Sequence, residues 1–340
     1  MLTGHGDDAY RYEREIIADF STNVWHGGAT AGLKAYLFEN IDRIERYPQV
    51  LAENLTRKIA DYDNLPASNV LVCNGTTESI YLIAQLFSDS KTTIITPSFS
   101  EYEDACQIFN HELTYLPWQE ALEMPQLRSD VVFICNPNNP TGSYFPDLQF
   151  WIKRSPGCIF VIDEAFIDFT MGIESAIDLV KKYRNVIILR SLTKTNSIPG
   201  LRLGYLLAND EIVAQLTAIK QPWTVNVMAQ AAGEFIFDNL NALQLPMSAI
   251  WNAKEDFVRQ LKGNDALAVE GSTTHFFLCK TLVRNAAQLK DFLIQHHGIL
   301  IRDAGNFRGL TRQHFRLATL TPEKNQLLID ALKAWNKLHY

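Results

Sequence analysis

Asn185-Val186-Ile187-Ile188-Leu189-Arg190-Ser191-Leu192-Thr193-Lys194 is the stretch on which the reading of this chain turns. Residues 185–189 have the β-branched, apolar character of a buried strand, and they run into two hydroxyls, a lysine and then Arg202 eight positions further on. A strand that ends in polar chemistry suits an open α/β sheet, where ligands gather at the carboxyl ends of the strands. A lysine in that position becomes nucleophilic once partly desolvated, and its amine can then form a Schiff base with an aldehyde. Ser191 and Arg202 suit a phosphate group, the arginine through its planar two-donor fork. Alone, a lysine after a strand is more often a solvated strand end. The surrounding sequence has to decide.

Outward from this stretch, short β-branched runs at 69–73, 92–96, 131–135, 158–162, 185–189 and 203–207 alternate with amphipathic segments at 78–87, 101–108, 174–183 and 211–219. The alternation predicts crossover units, hence a mostly parallel sheet with helices on both faces. Beyond residue 235 it breaks: helical patterns at 233–262 and 286–297 flank a strand at 274–279, with further apolar segments at 299–301 and 314–318. These predict a smaller α+β unit. The division expected is an arm over 1–30, a large cofactor-binding domain over 31–235 and a small domain over 236–340. At 340 residues the chain is long enough for such a core.

Bulk properties exclude several classes. A net charge of −7 and the absence of a Lys/Arg-rich block argue against a nucleic-acid binder. No apolar run reaches membrane-spanning length, and residues 1–20 carry many charges and no apolar signal core, so a cytoplasmic protein is expected. Five widely spaced cysteines fit neither a zinc pattern nor a disulfide framework, and no metal site is expected. The glycine motifs of dinucleotide-binding and P-loop proteins are missing, which weakens a nucleotide-binding reading.

The remaining motifs supply the second half of the lysine's chemistry. Val161-Ile162-Asp163 places a carboxylate at a buried strand end, where it suits the pyridinium nitrogen of pyridoxal 5'-phosphate (PLP), whose protein signature is a Schiff-base lysine with an acidic partner. Asn74-Gly75-Thr76-Thr77-Glu78 joins a strand to a helix whose N-terminus is a phosphate seat or a plain cap. Asn136-Pro137-Asn138-Asn139-Pro140-Thr141-Gly142 follows a strand as a rigid turn able to present an asparagine to a ring hydroxyl. Tyr102 suits either stacking on a flat cofactor or core packing. Arg302 and Arg316, set among apolar residues near the C-terminus, suit a substrate anion or ordinary ion pairs. His5 sits in a glycine-rich arm.

The strings Asn139-Pro140-Thr141-Gly142, Asp163-Glu164-Ala165 and Ser191-Leu192-Thr193-Lys194 with Arg202 resemble the class I/II aminotransferases, the fold type I PLP enzymes. The likeness runs from His5 to Arg316 and points to two branches, threonine-phosphate decarboxylase and histidinol-phosphate aminotransferase. His5-Gly6, Asp19-Phe20-Ser21 with Asn23, Ile44-Glu45-Arg46-Tyr47-Pro48 and Ile198-Pro199-Gly200-Leu201-Arg202 look more like the decarboxylase. So does Phe166, where the aminotransferases usually carry a tyrosine.

The resemblance implies a large domain with a mostly parallel seven-stranded sheet plus a smaller α+β domain. It implies that Lys194 carries PLP, that Asp163 pairs with the ring nitrogen and that Asn139 bonds the ring oxygen. Tyr102 would stack on the ring, while Thr76, Thr77, Ser191 and Arg202 hold the phosphate. Tyr47 would reach the phosphate of a neighbouring subunit in a homodimer with shared sites. His5, Asn23, Arg302 and Arg316 would bind a phosphorylated amino acid. The implied activity is decarboxylation of L-threonine O-3-phosphate in cobalamin biosynthesis, with histidinol-phosphate transamination as the alternative. Trp25-His26, Thr195-Asn196 and Leu320 depart from the decarboxylase pattern, and the resemblance puts these changes on the substrate side.

Overall fold

Aliphatic runs without polar alternation belong to strands covered on both faces, and in the computed structural model, which describes residues 6–339, they lie that way. In chain order the first eight strands are β1 (Ala18–Asp19), β2 (Val70–Cys73), β3 (Lys91–Thr96), β4 (Glu112–Pro117), β5 (Val131–Cys135), β6 (Ile159–Asp163), β7 (Val186–Ser191) and β8 (Gly204–Leu207). Five more follow: β9 (Leu267–Val269), β10 (Phe276–Thr281), β11 (Ile299–Leu300), β12 (Arg302–Asp303) and β13 (His314–Ala318). Strands β2 to β8 form one seven-stranded sheet in the order β2-β8-β7-β6-β5-β3-β4. Every neighbouring pair is parallel except the two that involve β8. The expected α/β architecture with a mostly parallel sheet is what the chain adopts.

Successive strand residues face opposite sides, and the two faces carry separate apolar layers. Val161, Ile187 and Leu189 pack with helices Gly75–Leu86, Glu101–Ile108 and Asp210–Ile219. Ile162, Ile188 and Tyr205 pack on the other side with helices Glu53–Asp63, Leu148–Arg154 and Val227–Asp238. A second sheet, β12-β13-β10-β9, is antiparallel throughout. Phe257 and Leu261 of helix Met247–Lys262, with Leu328 and Leu332 of helix Pro322–His339, cover one of its faces.

Several sequence-based expectations need correction. The helical pattern over 233–262 is two helices, Val227–Asp238 and Met247–Lys262, because Pro246 and a short 3-10 turn at Leu240–Leu243 interrupt it. The segment 174–183 is helical only over Asp178–Lys182. The edge strand β4, the strands β9 and β12 and the final helix were not anticipated. The N-terminal arm is tied down: β1 pairs in parallel with β11, and Phe20 is buried in the C-terminal core. His5 lies outside the described residues. All five cysteines are buried and unpaired, as expected of small apolar core residues.

The loop after β5 clasps the second sheet's layer. Gly142 donates its N–H to the Asn138 carbonyl at 2.7 Å, and its own carbonyl accepts from Thr273 N–H and Oγ1, both at 2.8 Å. Its φ is +71°, and a Cβ there would stand 1.9 Å from Ser272 Oγ. Gly142→Ala is therefore expected to cost roughly 1–3 kcal/mol from backbone strain alone, read as a lower urea midpoint. An unchanged midpoint would show that this loop yields.

Candidate active site

Because the parallel strands point the same way, their carboxyl ends deliver side chains to one edge of the sheet. Asp163 closes β6, Ser191 closes β7, Lys194 follows in the next turn, and Asn139 sits in the loop after β5. Asn139 and Lys194, with residues of the second layer, border a cavity of ≈1030 Å³, while Asp163 and Ser191 lie behind its wall. Asn139, Phe166, Lys194 and Arg202 line it from the larger sheet, and Asn23, Arg302 and Arg316 from the other side.

Burial shapes the charges here. Lys194 is desolvated, and Arg202 and Arg316 add repulsion, so its amine falls from 10.5 to about 8 although Asp163 and Asp7 pull the other way. Desolvation pushes the Asp163 carboxyl up, opposed by the Tyr102 hydroxyl, the Ala165 N–H and Lys194. Tyr102 donates to Asp163 Oδ2 at 2.7 Å, and Ala165 N–H to Oδ1 at 2.9 Å. Arg316 is buried and brought down to about 9 by desolvation first and Arg302 second, so it stays charged at neutral pH. It donates to Asn139 Oδ1 and to the Ser21 carbonyl, both at 2.5 Å. Arg302 donates to the Asp303 carbonyl and, at 2.9 Å, to Asn306 Oδ1. Asn23 lines the cavity with its amide nitrogen and oxygen buried and unpartnered, hydrogen-bonding capacity that suits a bound ligand.

A second cluster forms an anion seat. Thr76 and Thr77 occupy the first turn of helix Gly75–Leu86, and the Asn74 side chain does not cap it. Instead the Asn74 N–H donates to Glu78 Oε2 at 2.6 Å, which leaves the first helical N–H groups directed outward. The Arg202 guanidinium lies against Gly75, where a Cβ would be 2.7 Å from Nη2. Gly204 backs the same turn, its position for a Cβ being 2.8 Å from the Thr76 nitrogen. Ser191 Oγ is 3.0 Å from Thr193 Oγ1, both buried beside this seat.

Other expected site residues fall elsewhere. Tyr102 does not face the cavity: it is fully buried, donates to Asp163 and stacks on Phe133 at 5.1 Å and 15°. Phe99, edge-on to Tyr102 at 5.9 Å, lines the cavity together with Phe166 and Phe307. Phe99 is a cavity-lining residue that sequence reasoning missed; its signal was an aromatic three residues beyond a strand end, in Thr96-Pro97-Ser98-Phe99. Asp7, also on the cavity wall, was missed for want of any motif. Trp25, Thr195 and Asn196 line a separate pocket of ≈60 Å³, and Leu320 belongs to the C-terminal apolar core, so these departures do not line the main cavity. Tyr47 is 83% exposed, on the surface against Trp223.

Comparison with known proteins follows the same lines. Residues 18–332 match the family "Aminotransferase class I and II", and the chain belongs to it. Threonine-phosphate decarboxylase of Salmonella typhimurium is 34% identical over 93% of this chain and 90% of its own. A histidinol-phosphate aminotransferase of Caldanaerobacter subterraneus is 32% identical over 84% of this chain and 83% of its own. The crystal structure of L-threonine-O-3-phosphate decarboxylase from Porphyromonas gingivalis superposes with a TM-score of 0.92 at 34% identity, covering 94% of this chain and all of that one. The fold is that of the fold type I PLP enzymes. A histidinol-phosphate aminotransferase of Sinorhizobium meliloti, solved with PLP, shares it at a TM-score of 0.86 and 20% identity, over 97% of this chain and 93% of that one.

This is therefore a PLP-dependent enzyme of the class I/II aminotransferase family, and its residues fit the cofactor. Lys194 offers a desolvated amine for the aldehyde, and Asp163 a buried carboxylate for the ring nitrogen. The turn at Gly75, Thr76 and Thr77, with Ser191 and Arg202, suits the phosphate.

Two measurements test this assignment. Only the neutral amine attacks an aldehyde, so PLP capture by cofactor-free protein should rise with pH through about 8 and then level off; a midpoint near 10.5 would contradict a desolvated Lys194. If Phe99 packs on the cofactor ring, Phe99→Ala should weaken PLP binding by roughly 1 kcal/mol, whereas equal binding by that variant and the parent would leave stacking to another residue such as Tyr102.

Proposed function

We propose that this enzyme decarboxylates L-threonine O-3-phosphate to aminopropanol phosphate. The observation that carries the substrate class is the pair of buried arginines on one wall. Arg302 raises the cost of charge on Arg316, which donates to the neutral oxygens of Asn139 and Ser21, while Asp19 lies near enough to offset part of its charge. A phosphate dianion balances two guanidiniums where a single carboxylate does not. The similarity to two threonine-phosphate decarboxylases at 34% identity each supports the reaction type. So does Phe166, which packs on Phe276 at 4.9 Å and brings no hydroxyl to the cavity.

Bound PLP supplies an electron sink for the pair released at the substrate Cα. The protein's part is orientation and proton handling. Asp163 would hold the protonated ring nitrogen. Arg302 and Arg316 would hold the phosphate end of the substrate, and that remote binding energy would select the bond to the carboxylate as the one that breaks. Lys194, its amine brought down to about 8 by burial and its arginine neighbours, would be the group placed to return a proton to Cα after carbon dioxide leaves.

Tyr47 is taken to reach the phosphate seat of a second copy. It lies on a surface with exposed Phe38, Ile44 and Trp223, which a homodimer would cover. Five buried unpaired thiols suit a reducing cytoplasm, and the product suits cobalamin biosynthesis. Incubation with threonine phosphate and no keto acid should release carbon dioxide and amine in equal amounts, and Arg316→Gln should raise KM about tenfold or more through a lost charged contact. Turnover of histidinol phosphate that requires 2-oxoglutarate, with no gas from threonine phosphate, would replace this reading with transamination.

A further inference from the structure

On the sheet face turned away from the cavity lies a charged network to which none of these roles is assigned. Side chains alternate along a strand. Asp163 turns toward Tyr102 and the cofactor site, so the next residue, Glu164, turns to the opposite face; Ser191 and Arg190 divide in the same way on β7. The Glu164 N–H donates to the Leu189 carbonyl at 2.9 Å, which extends the β6–β7 pairing one step beyond Asp163. There Arg190 Nη1 meets Glu164 Oε2 at 3.3 Å. The Glu164 side chain is 1% exposed and also accepts from Ser175 Oγ at 2.5 Å and Ala176 N–H at 2.6 Å. Arg190 Nη2 pairs with Asp168 at 2.7 Å. Across the sheet from Arg190 stands Tyr205 of β8, whose hydroxyl donates to Asp63 at 3.4 Å. The charged and titratable groups facing Arg190 are thus Glu164, Asp168, Asp63 and Tyr205. Loss of the guanidinium would strand a buried carboxylate beside the strand end.

We propose that the Arg190–Glu164 pair is a positioning device for the cofactor. It locks the register between the strand end that carries Asp163 and the one that carries Ser191 and Lys194. The ring nitrogen and the phosphate of PLP are a fixed distance apart, so the carboxylate and the phosphate seat must match that distance closely, and an error of about an ångström is costly. The two cofactor-facing residues are each the chain neighbour of one partner in this pair, and this adjacency transmits the constraint. The proposal rests on PLP binding alone and is independent of whether the reaction is decarboxylation or transamination.

The test uses Arg190→Met, Glu164→Gln and the charge-keeping Arg190→Lys, with two readouts besides turnover: the PLP dissociation constant and the pH midpoint of the visible absorbance of the cofactor-loaded protein. Arg190→Met and Glu164→Gln should each weaken PLP binding about tenfold. Poorer contact between Asp163 and the ring nitrogen leaves less positive charge on the ring, so the Lys194 nitrogen should keep its proton to higher pH. The midpoint should rise by about half a unit or more. Arg190→Lys should lie between these variants and the parent. A purely structural pair would lower the melting temperature while leaving both readouts in place, and that result overturns the proposal. Should Arg190→Met fail to fold, Arg190→Lys and Glu164→Gln decide it by the same two measurements.

Discussion

The contact between Tyr102 and Asp163 is the one on which the site depends. A carboxylate at a buried strand end is pushed toward its neutral form by desolvation, and a neutral carboxyl could not hold a proton on the cofactor's ring. One hydroxyl, one backbone N–H and one lysine offset that push. Tyr102 reaches Asp163 because helix Glu101–Ile108 packs flat on the sheet and Phe133 of the adjacent strand holds its ring in place. The apolar layer between helix and sheet is thereby part of the chemistry. Its packing fixes the donor that opposes that push.

Charge on the opposite side of the cavity is arranged by a different device. Arg316 reaches from the second sheet to Asn139 on the first and to the Ser21 carbonyl in the N-terminal segment, so three distant parts of the chain meet at one guanidinium. Desolvation weakens its hold on a proton without removing the charge at neutral pH. Lys194 feels the same field, with Arg202 on one side and Arg316 on the other, and its amine drops for that reason as well as for burial. The positive wall that would bind an anionic substrate is therefore also what prepares the nucleophile.

Much of this was legible in the sequence because it depends on local pattern. Strand ends at Asp163 and Ser191, the turn at Asn139 and the helix start at Thr76 all follow from β-branched runs and the residues after them. What escaped depends on three-dimensional phase or on distant packing. Phe99 and Tyr102 are three residues apart and equally aromatic, and only the way the segment enters its helix decides which faces the cavity. Strand β4 is half-exposed at the sheet edge and lacks the continuous apolar run that marked its neighbours. The pattern over 233–262 kept helical spacing across Pro246, so periodicity alone could not show the break. Leu320 departs from the decarboxylase pattern, and its side chain is spent on the C-terminal core.

Those same considerations locate what distinguishes one reaction of this family from another. Lys194, Asp163 and the phosphate seat prepare the cofactor for breaking any bond to Cα, and nothing in them prefers carboxylate over hydrogen. On the proposed function the preference would come from the far wall, where Asn23, Arg302 and Arg316 would decide which substituent of the substrate is held. Asn23 has an unpartnered amide, and the two arginines stand close enough to repel. A phosphorylated substrate, as proposed above, would bring a dianion for the arginines and a hydrogen-bonding group for Asn23. That pairing would constrain the substrate more tightly than it constrains the chemistry, because orientation within the wall then follows from where the dianion is anchored.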